Sequence, residues 1–447
     1  MTFENLGLAP ALLRALAEQG YTDPTPIQVA AIPPALENHD LLAGAQTGTG
    51  KTAAFALPML QRLYVGARRD AMPKTPRALV LTPTRELAAQ VHESVRTYGK
   101  HLGVRATTVY GGVGMQPQVD ALRRGVEILV ATPGRLIDHV ERRSVNLSGI
   151  ELLVLDEADR MLDMGFLPAI RRILGALPKQ RATWLFSATF APEIKSLASQ
   201  FMRSPVEIQV AKPNSVAATV THRVHPVDAD KKRDLLLHIL NNDARQTLVF
   251  GRTKHGADKL AKILDKAGLR AAAIHGNKSQ NQRTRALADF KSGRIAVLVA
   301  TDIAARGLDI DQLPMVINFE LPMVAEDYVH RIGRTGRAGA EGLAISLVSR
   351  DEESRLREIR RLLKQDIAIV PIEGFEPFQP LRLDGPSSNT SRPQPPRHAH
   401  RPHAHSNANA RPNGNGRPSG NGRPSGDGAH AANPRKRGPK RRRAAQA

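Results

Sequence analysis

The 447-residue chain contains no cysteine, which excludes disulfides and thiolate-bound zinc and points to a reducing compartment. No uninterrupted apolar segment approaches membrane-spanning length. The first residues, Met1-Thr2-Phe3-Glu4-Asn5, lack the basic region and apolar stretch of a secretory leader. A cytoplasmic location and no membrane partner are therefore expected. Aromatic residues are scarce, at 4% with a single tryptophan. Acids are outnumbered, 42 Asp and Glu against 64 Lys and Arg, for a net charge of +22. That excess points to an anionic polymer as partner, although charge sign alone does not separate RNA from DNA or from an acidic membrane. Hydrophobic residues still reach 41%, enough to bury two core-sized domains.

The positive charge is unevenly placed. Leu381 to Ala447 holds fourteen Lys or Arg and two Asp, a net +12, and beyond Leu383 alanine is the only hydrophobic residue type left. Such a segment cannot bury enough apolar surface to offset chain entropy, so residues 381–447 are expected to form a disordered basic tail. Asn415 to Gly420 is repeated at once as Asn421 to Gly426, and Arg435-Lys436-Arg437 with Lys440 to Arg443 closes the chain. One reading is a polycation that holds nucleic acid by releasing counterions. The competing reading is a solubilising extension, and the last cluster also suits a nuclear address. The five tail histidines, scattered among Pro, Ala and Arg, are assigned no metal. Without aromatics the tail offers no stacking platform for bases.

Two segments carry phosphate chemistry. The apolar run Leu41-Leu42-Ala43-Gly44 leads into Ala45-Gln46-Thr47-Gly48-Thr49-Gly50-Lys51-Thr52. Glycines at 48 and 50 let the backbone curl around phosphate oxygens at the start of a helix. Lys51 supplies a point charge to terminal phosphates, and the Thr52 hydroxyl suits one Mg2+ position. The first position of the usual loop pattern is Ala45 rather than glycine. Downstream, Leu152-Leu153-Val154-Leu155 ends in Asp156-Glu157-Ala158-Asp159. A wholly apolar run reads as a strand buried on both faces, and acids at its carboxyl end fall in the crevice where open α/β sheets bind ligands. Asp156 is expected to hold the same Mg2+, partly through water, and Glu157 to orient the attacking water. A merely solvated charge run leaves unexplained why an apolar strand delivers these acids.

Elsewhere, apolar strands alternate with helical stretches, and polar residues follow each strand. Ala78 to Thr82 precedes Pro83-Thr84-Arg85-Glu86, Ile128 to Ala131 precedes Thr132-Pro133-Gly134-Arg135, and Thr183 to Phe186 precedes Ser187-Ala188-Thr189. Thr247 to Phe250 precedes Gly251-Arg252-Thr253, and Val297 to Ala300 precedes Thr301-Asp302. Glu86 to Tyr98 and His255 to Ala267 suit crossover helices. The rhythm predicts an α/β fold with two parallel-sheet domains in tandem. Lys212-Pro213-Asn214-Ser215 breaks it and places a hinge near 211–218. The second half lacks a phosphate loop but offers His330-Arg331-Ile332-Gly333-Arg334-Thr335-Gly336-Arg337, whose guanidiniums could reach across a cleft to a transferring phosphate. Hydrolysis then requires domain closure, and the nucleotide becomes a conformational switch.

Over about residues 1 to 380 these motifs resemble the DEAD-box ATP-dependent RNA helicases, and Ala272 to Gln280 is similar to the bacterial RhlE-like branch. Phe3 followed by Gly20-Tyr21 and Pro24-Thr25-Pro26-Ile27-Gln28 resembles the family's adenine-reading Q motif, and Ala45 matches the family's own loop. The resemblance implies two RecA-like domains. The expected layout is a Q-motif segment at 1–29, an ATP-binding domain at 30–210, a linker at 211–220, a second helicase domain at 221–380 and the tail. It implies that Gln28 reads the adenine edge, Phe3 packs on the base, Asp309 contacts the ribose, and Arg334 and Arg337 are arginine fingers. Ser187 and Thr189 link Asp159 to the interdomain contacts, with His330 on the far side. By the same resemblance Pro83, Thr84, Arg85, Gly111, Gly112, Thr132, Pro133, Gly134 and Arg135 grip RNA from the first domain. Arg252, Gln280, Arg283, Thr301 and Asp302 do so from the second. Such groups position a backbone without reading bases, so RNA recognition is expected to be largely nonspecific. The implied activity is ATP hydrolysis coupled to local duplex unwinding or RNA-protein remodelling by a monomer, with ribosomal or RNA-decay complexes as candidate partners. Rival readings are an annealing clamp dominated by the tail and a DNA remodeller.

Overall fold

The computed structural model describes residues 2–45, 48–65, 75–210, 219–305, 308, 310, 313–336 and 341–383. In the first lobe the strands are β1 Leu41–Gly44, β2 Ala78–Leu81, β3 Ala106–Val109, β4 Ile128–Ala131, β5 Leu152–Leu155, β6 Ala182–Ser187 and β7 Val206–Gln209. They pair in parallel in the order β3-β4-β2-β5-β6-β1-β7. The second lobe contains β8 Val220–Pro226, β9 Thr247–Phe250, β10 Ala271–Ile274, β11 Val297–Ala300, β12 Met315–Asn318, β13 Gly342–Val348 and β14 Ala368–Ile369. Their order is β10-β11-β9-β12-β13-β8-β14. Renumbered from its own first strand, the second sheet repeats the order of the first.

The apolar runs become strands because each side chain finds a helix layer on its own face. Leu41, Ala43, Val80, Val130, Val154 and Phe186 pack into one core. Their alternates Leu42, Leu79, Leu129, Leu153 and Leu185 pack into another on the opposite face. A strand covered on both sides has no polar alternation to show, hence the continuous hydrophobic runs. Val249, Val299 and Ile317 against Leu248, Leu298 and Val316 repeat the arrangement in the second lobe. Parallel strands need crossovers, and these are the helices Arg85–Tyr98 and Lys254–Lys266, each capped by a threonine hydroxyl.

Some limits differ from expectation. Phe3, Leu6, Leu12 and Ile27 lie in the same core as β1, so the amino-terminal segment is continuous with the first lobe rather than set apart at residue 29. The second sheet begins at Val220, inside the expected linker, whose residues 211–218 lie outside the described residues. Leu381 and Leu383 pack against the second lobe's core, so the ordered lobe runs past the expected tail start at 381. The residues beyond 383 and the expected site residues Gln46, Thr47, Asp309 and Arg337 also lie outside the described residues.

Candidate functional site

The crevice at the carboxyl ends of β1 and β5 is built around close approach. Gly48 and Gly50 hold φ of 83° and 92°, conformations that L side chains avoid. A Cβ on Gly50 would also lie 2.4 Å from Gln28 Nε2. Gln28 donates from Nε2 to the Gly50 carbonyl at 3.1 Å and accepts the Thr25 N–H at 2.9 Å. The expected adenine reader is thereby tied to the phosphate loop. Phe3 is only 5% exposed within the core, so it offers a base little of its ring face.

The helix Lys51–Tyr64 starts directly after Gly50. Lys51 and Asp156 are 6% and 2% exposed, yet among the described residues Lys51 Nζ and Asp156 Oδ1 have no hydrogen-bond partner. Burial pushes the Asp156 carboxyl up to about 7 against the opposing pull of Lys51. Buried polar atoms left unpaired are costly, so the first lobe keeps two such groups at this crevice. An ammonium and an acid oxygen buried together, with the partly buried Thr52 hydroxyl adjoining, fit a phosphate chain and its Mg2+. Glu157 sits beside them at φ 54° and ψ 53°. A left-handed glutamate costs about 1–3 kcal/mol and persists where its surroundings over-determine it.

Asp159 bonds instead to the turn that follows β6. Its Oδ2 accepts the Ala188 N–H at 3.1 Å, while Ser187 Oγ donates to the Thr189 carbonyl at 2.7 Å. The expected link to the Ser187–Thr189 turn is present, but it passes through a backbone amide that no side-chain pattern announces. Arg160, next in the chain, crosses to the second lobe and meets Asp327 Oδ1 at 2.7 Å. Both were missed from the sequence. Asp327 lies three residues before His330 on the helix Ala325–Ile332, a spacing that puts the two on one face. Burial, reinforced by Arg160, Arg334 and Lys51, drives the His330 pKa well down, leaving the imidazole neutral. His330 and the 6%-exposed Arg334 share a cavity with Arg160 and Asp327. Arg334 Nη1 also donates to the Leu308 carbonyl at 3.1 Å.

The expected RNA-gripping residues form a second group. Arg85 packs so closely on the Gly111-Gly112 turn that a Cβ on Gly112 would lie 1.8 Å from its guanidinium. Arg135 donates to the Val113 carbonyl at 3.2 Å on the same turn. Across the cleft, Gln280 accepts from Arg85 at 3.2 Å and donates to Glu86 at 2.9 Å, and Arg283 pairs with Glu86 at 3.0 Å. Glu86, which has no expected role, is with Asp327 one of two acids that join the halves among the described residues. Other expected members are occupied locally. The Thr84 hydroxyl caps its own helix, Pro83, Thr132 and Pro133 are buried, and Gly134 faces open space. Thr301 is 9% exposed. Asp302 gives both carboxylate oxygens to the buried Arg331, at 2.5 and 2.7 Å, and a carboxylate repels phosphate, so here it positions Arg331. Arg252 is held by Glu320 at 2.9 Å.

Two independent likenesses fit this geometry. The DEAD/DEAH box helicase model matches residues 25–197, and the helicase conserved C-terminal domain matches 231–339. DEAD-box ATP-dependent RNA helicase CshA of Bacillus cereus is 43% identical over 365 residues, covering 81% of this chain and 68% of that protein. The chain belongs to the DEAD-box ATP-dependent RNA helicases. DEAD-box ATP-dependent RNA helicase 30 of Arabidopsis thaliana is 44% identical over 373 residues, 83% of this chain. This chain spans 63% of that relative's length, and also 63% of ATP-dependent RNA helicase DeaD of Buchnera aphidicola. The solved structure of S. cerevisiae Dbp5 bound to RNA and ADP BeF3 matches with a TM-score of 0.74 at 31% identity, covering 83% of this chain and 95% of that one. Mss116 bound to ssRNA and UDP-BeF matches with a TM-score of 0.76 at 28% identity, covering 83% and 80%. These alignments run across both RecA-like lobes of this DEAD-box chain.

Proposed function

We infer that this protein hydrolyses ATP in response to RNA and uses closure of its two lobes to open short duplexes locally or to remodel RNA-protein complexes. The observation that carries this reading is the pair of buried, unpartnered groups, Lys51 Nζ and Asp156 Oδ1, at a cleft spanned by Arg160 and Asp327. Lys51 and the loop amides bind the terminal phosphates, and Thr52 with Asp156 holds Mg2+, which when bound neutralises phosphate charge. Gln28 and Asp309 place the nucleoside, and Phe3 supports their lobe from within the core. Glu157 orients the attacking water, and Arg334 with Arg337 stabilises charge on the transferring group. Asp159, Ser187, Thr189 and His330 couple the lobes. Arg85, Arg135, Gln280 and Arg283 lie where a bound strand touches both lobes, so RNA binding and closure favour one another.

The finer assignments are part of the same proposal. The wording of Ala272 to Gln280 supports the RhlE-like branch, while named relatives include DeaD, CshA and RhlB. We place the protein in the cytoplasm as a monomer serving ribosomal or RNA-decay complexes, with the basic residues beyond 383 as a tether for RNA. ATP turnover measured with RNA and with DNA of equal length tests the reading. Strong stimulation by RNA, abolished by Lys51→Ala, is expected, and turnover indifferent to any polynucleotide overturns it.

A further inference from the structure

The two sheets share a strand order but finish their edges differently. In the first lobe the Arg105 and Val109 carbonyls on β3 accept from Ile128 at 3.1 Å and Thr132 at 3.0 Å. By alternation Ala106 and Thr108 face outward. There His92 Nε2 covers the Ala106 carbonyl at 3.1 Å. In the second lobe the Arg270 and Ile274 carbonyls on β10 accept from Val297 at 3.1 Å and Thr301 at 3.4 Å. Ala271 and Ala273 therefore face outward, and among the described residues no partner meets their outward N–H and C=O groups.

The helix caps explain the difference. Thr84 Oγ1 accepts the Leu87 N–H and Thr253 Oγ1 accepts the Gly256 N–H, so the two crossover helices align on their caps. Counted from there, the place of His92 is taken by Ala261. The missing imidazole leaves a groove of about 320 Å³ floored by Ala271, Ala272 and Ala273. Its walls are Lys254–Lys266 and Gln280–Lys291, which pack on opposite faces of the sheet. Lys262 and Arg285 stand on the two rims.

We propose that this groove receives an extended peptide segment of a partner protein, which adds to β10 as a further strand and sets an acidic side chain between Lys262 and Arg285. An open strand edge offers donors and acceptors in alternation, which a peptide backbone satisfies and a phosphate chain does not. The small alanine floor leaves room for every second side chain of the incoming strand. Asp258, Asp265 and Asp289 also line the groove and disfavour a polyanion. Asp289 already meets Arg285 at 3.7 Å, so a single incoming acid shares Arg285 with it and pairs with Lys262.

The full-length protein is screened against a displayed library of random linear peptides of about twelve residues, and selected peptides are synthesised with a fluorophore. Binders carrying an acid among β-branched residues are expected to slow amide exchange at Ala271 and Ala273. They are expected to bind about tenfold more weakly to Ala261→His, which restores the first lobe's cap, and to the surface double variant Lys262→Glu with Arg285→Glu. RNA-stimulated ATP turnover of both variants should stay within about twofold of the parent, which separates this proposal from the helicase reading. Equal affinity for the parent and the double variant, failure to recover any binder, or protection of Ala271–Ala273 by oligouridylate instead of peptide would overturn it.

Discussion

Each lobe opens the helix after its first strand on a buried lysine: Lys51 on Lys51–Tyr64 and Lys232 on Lys232–Asn242. They are 6% and 5% exposed, and their fates differ. Lys232 Nζ pairs with Glu352 and donates to the Phe319 carbonyl. Burial lowers its pKa, and Glu352 opposes that shift. Lys51 has no such partner among the described residues. One framework, used twice, thus gives a self-neutralised lysine in the second lobe and a lysine reserved for a ligand in the first. The glycines at 48 and 50 mark the difference, because only a loop that curls inward brings backbone amides to the same charge.

The largest test of this contrast removes each lysine in turn. Lys51→Ala is expected to cut RNA-stimulated ATP turnover by at least about a hundredfold, with an unchanged circular dichroism spectrum. Lys232→Ala should instead cost about 3–5 kcal/mol in urea unfolding, since it leaves the buried Glu352 with the longer 3.8 Å contact to Arg355 in place of its close ion pair. Replacing the pair together, Lys232→Met with Glu352→Leu, should recover most of that loss. A turnover defect in the double variant equal to that of Lys51→Ala would dissolve the distinction.

The bridge between lobes comes next. Arg160→Ala and Asp327→Ala are each expected to lower RNA-stimulated turnover about tenfold, and the double variant no further than either alone. Additive losses would mean that the 2.7 Å pair does not act as a unit.

A smaller effect concerns pH. The Asp156 carboxyl sits near 7 in the fold and near 4 unfolded. The folded state therefore holds the extra proton between those values, and the stability this gives is lost as pH rises through about 7. His330, depressed in the fold, works the other way and withdraws stability as pH falls below its ordinary range. Asp156→Asn should thus raise the Tm of nucleotide-free protein by roughly 2–4 °C at pH 8. The gain should fade toward pH 4 in scanning calorimetry.

The smallest expected change in turnover comes from truncation after Leu383. RNA affinity should weaken and its dependence on salt flatten, with ATP affinity nearly unchanged. An identical salt slope, read by fluorescence anisotropy at several ionic strengths, would return the tail to the solubilising alternative.

Much of this protein was legible in the chain. The strands β1, β4, β5, β9 and β11 follow the apolar runs at Leu41–Gly44, Ile128–Ala131, Leu152–Leu155, Thr247–Phe250 and Val297–Ala300, because a strand buried on both faces must be apolar throughout. The curl of the loop before Lys51 was legible too, because the positive φ that Gly48 and Gly50 adopt is a conformation that favours glycine. The edge strand β3, Ala-Thr-Thr-Val and only partly buried, left no comparable run, and the apolar run of β10 is three small alanines before Ile274, which suit a helix as well as a strand. Pairings between distant residues were likewise invisible: no local pattern says that Glu86 will meet Arg283, or that Ala188 will offer its amide to Asp159. By itself the sequence determined the periodicity, the loop chemistry and the placement of charge, all set by near neighbours along the chain. Only the tertiary structure decided which buried charges are answered by the protein and which are left for a ligand, because that depends on groups brought together from far apart.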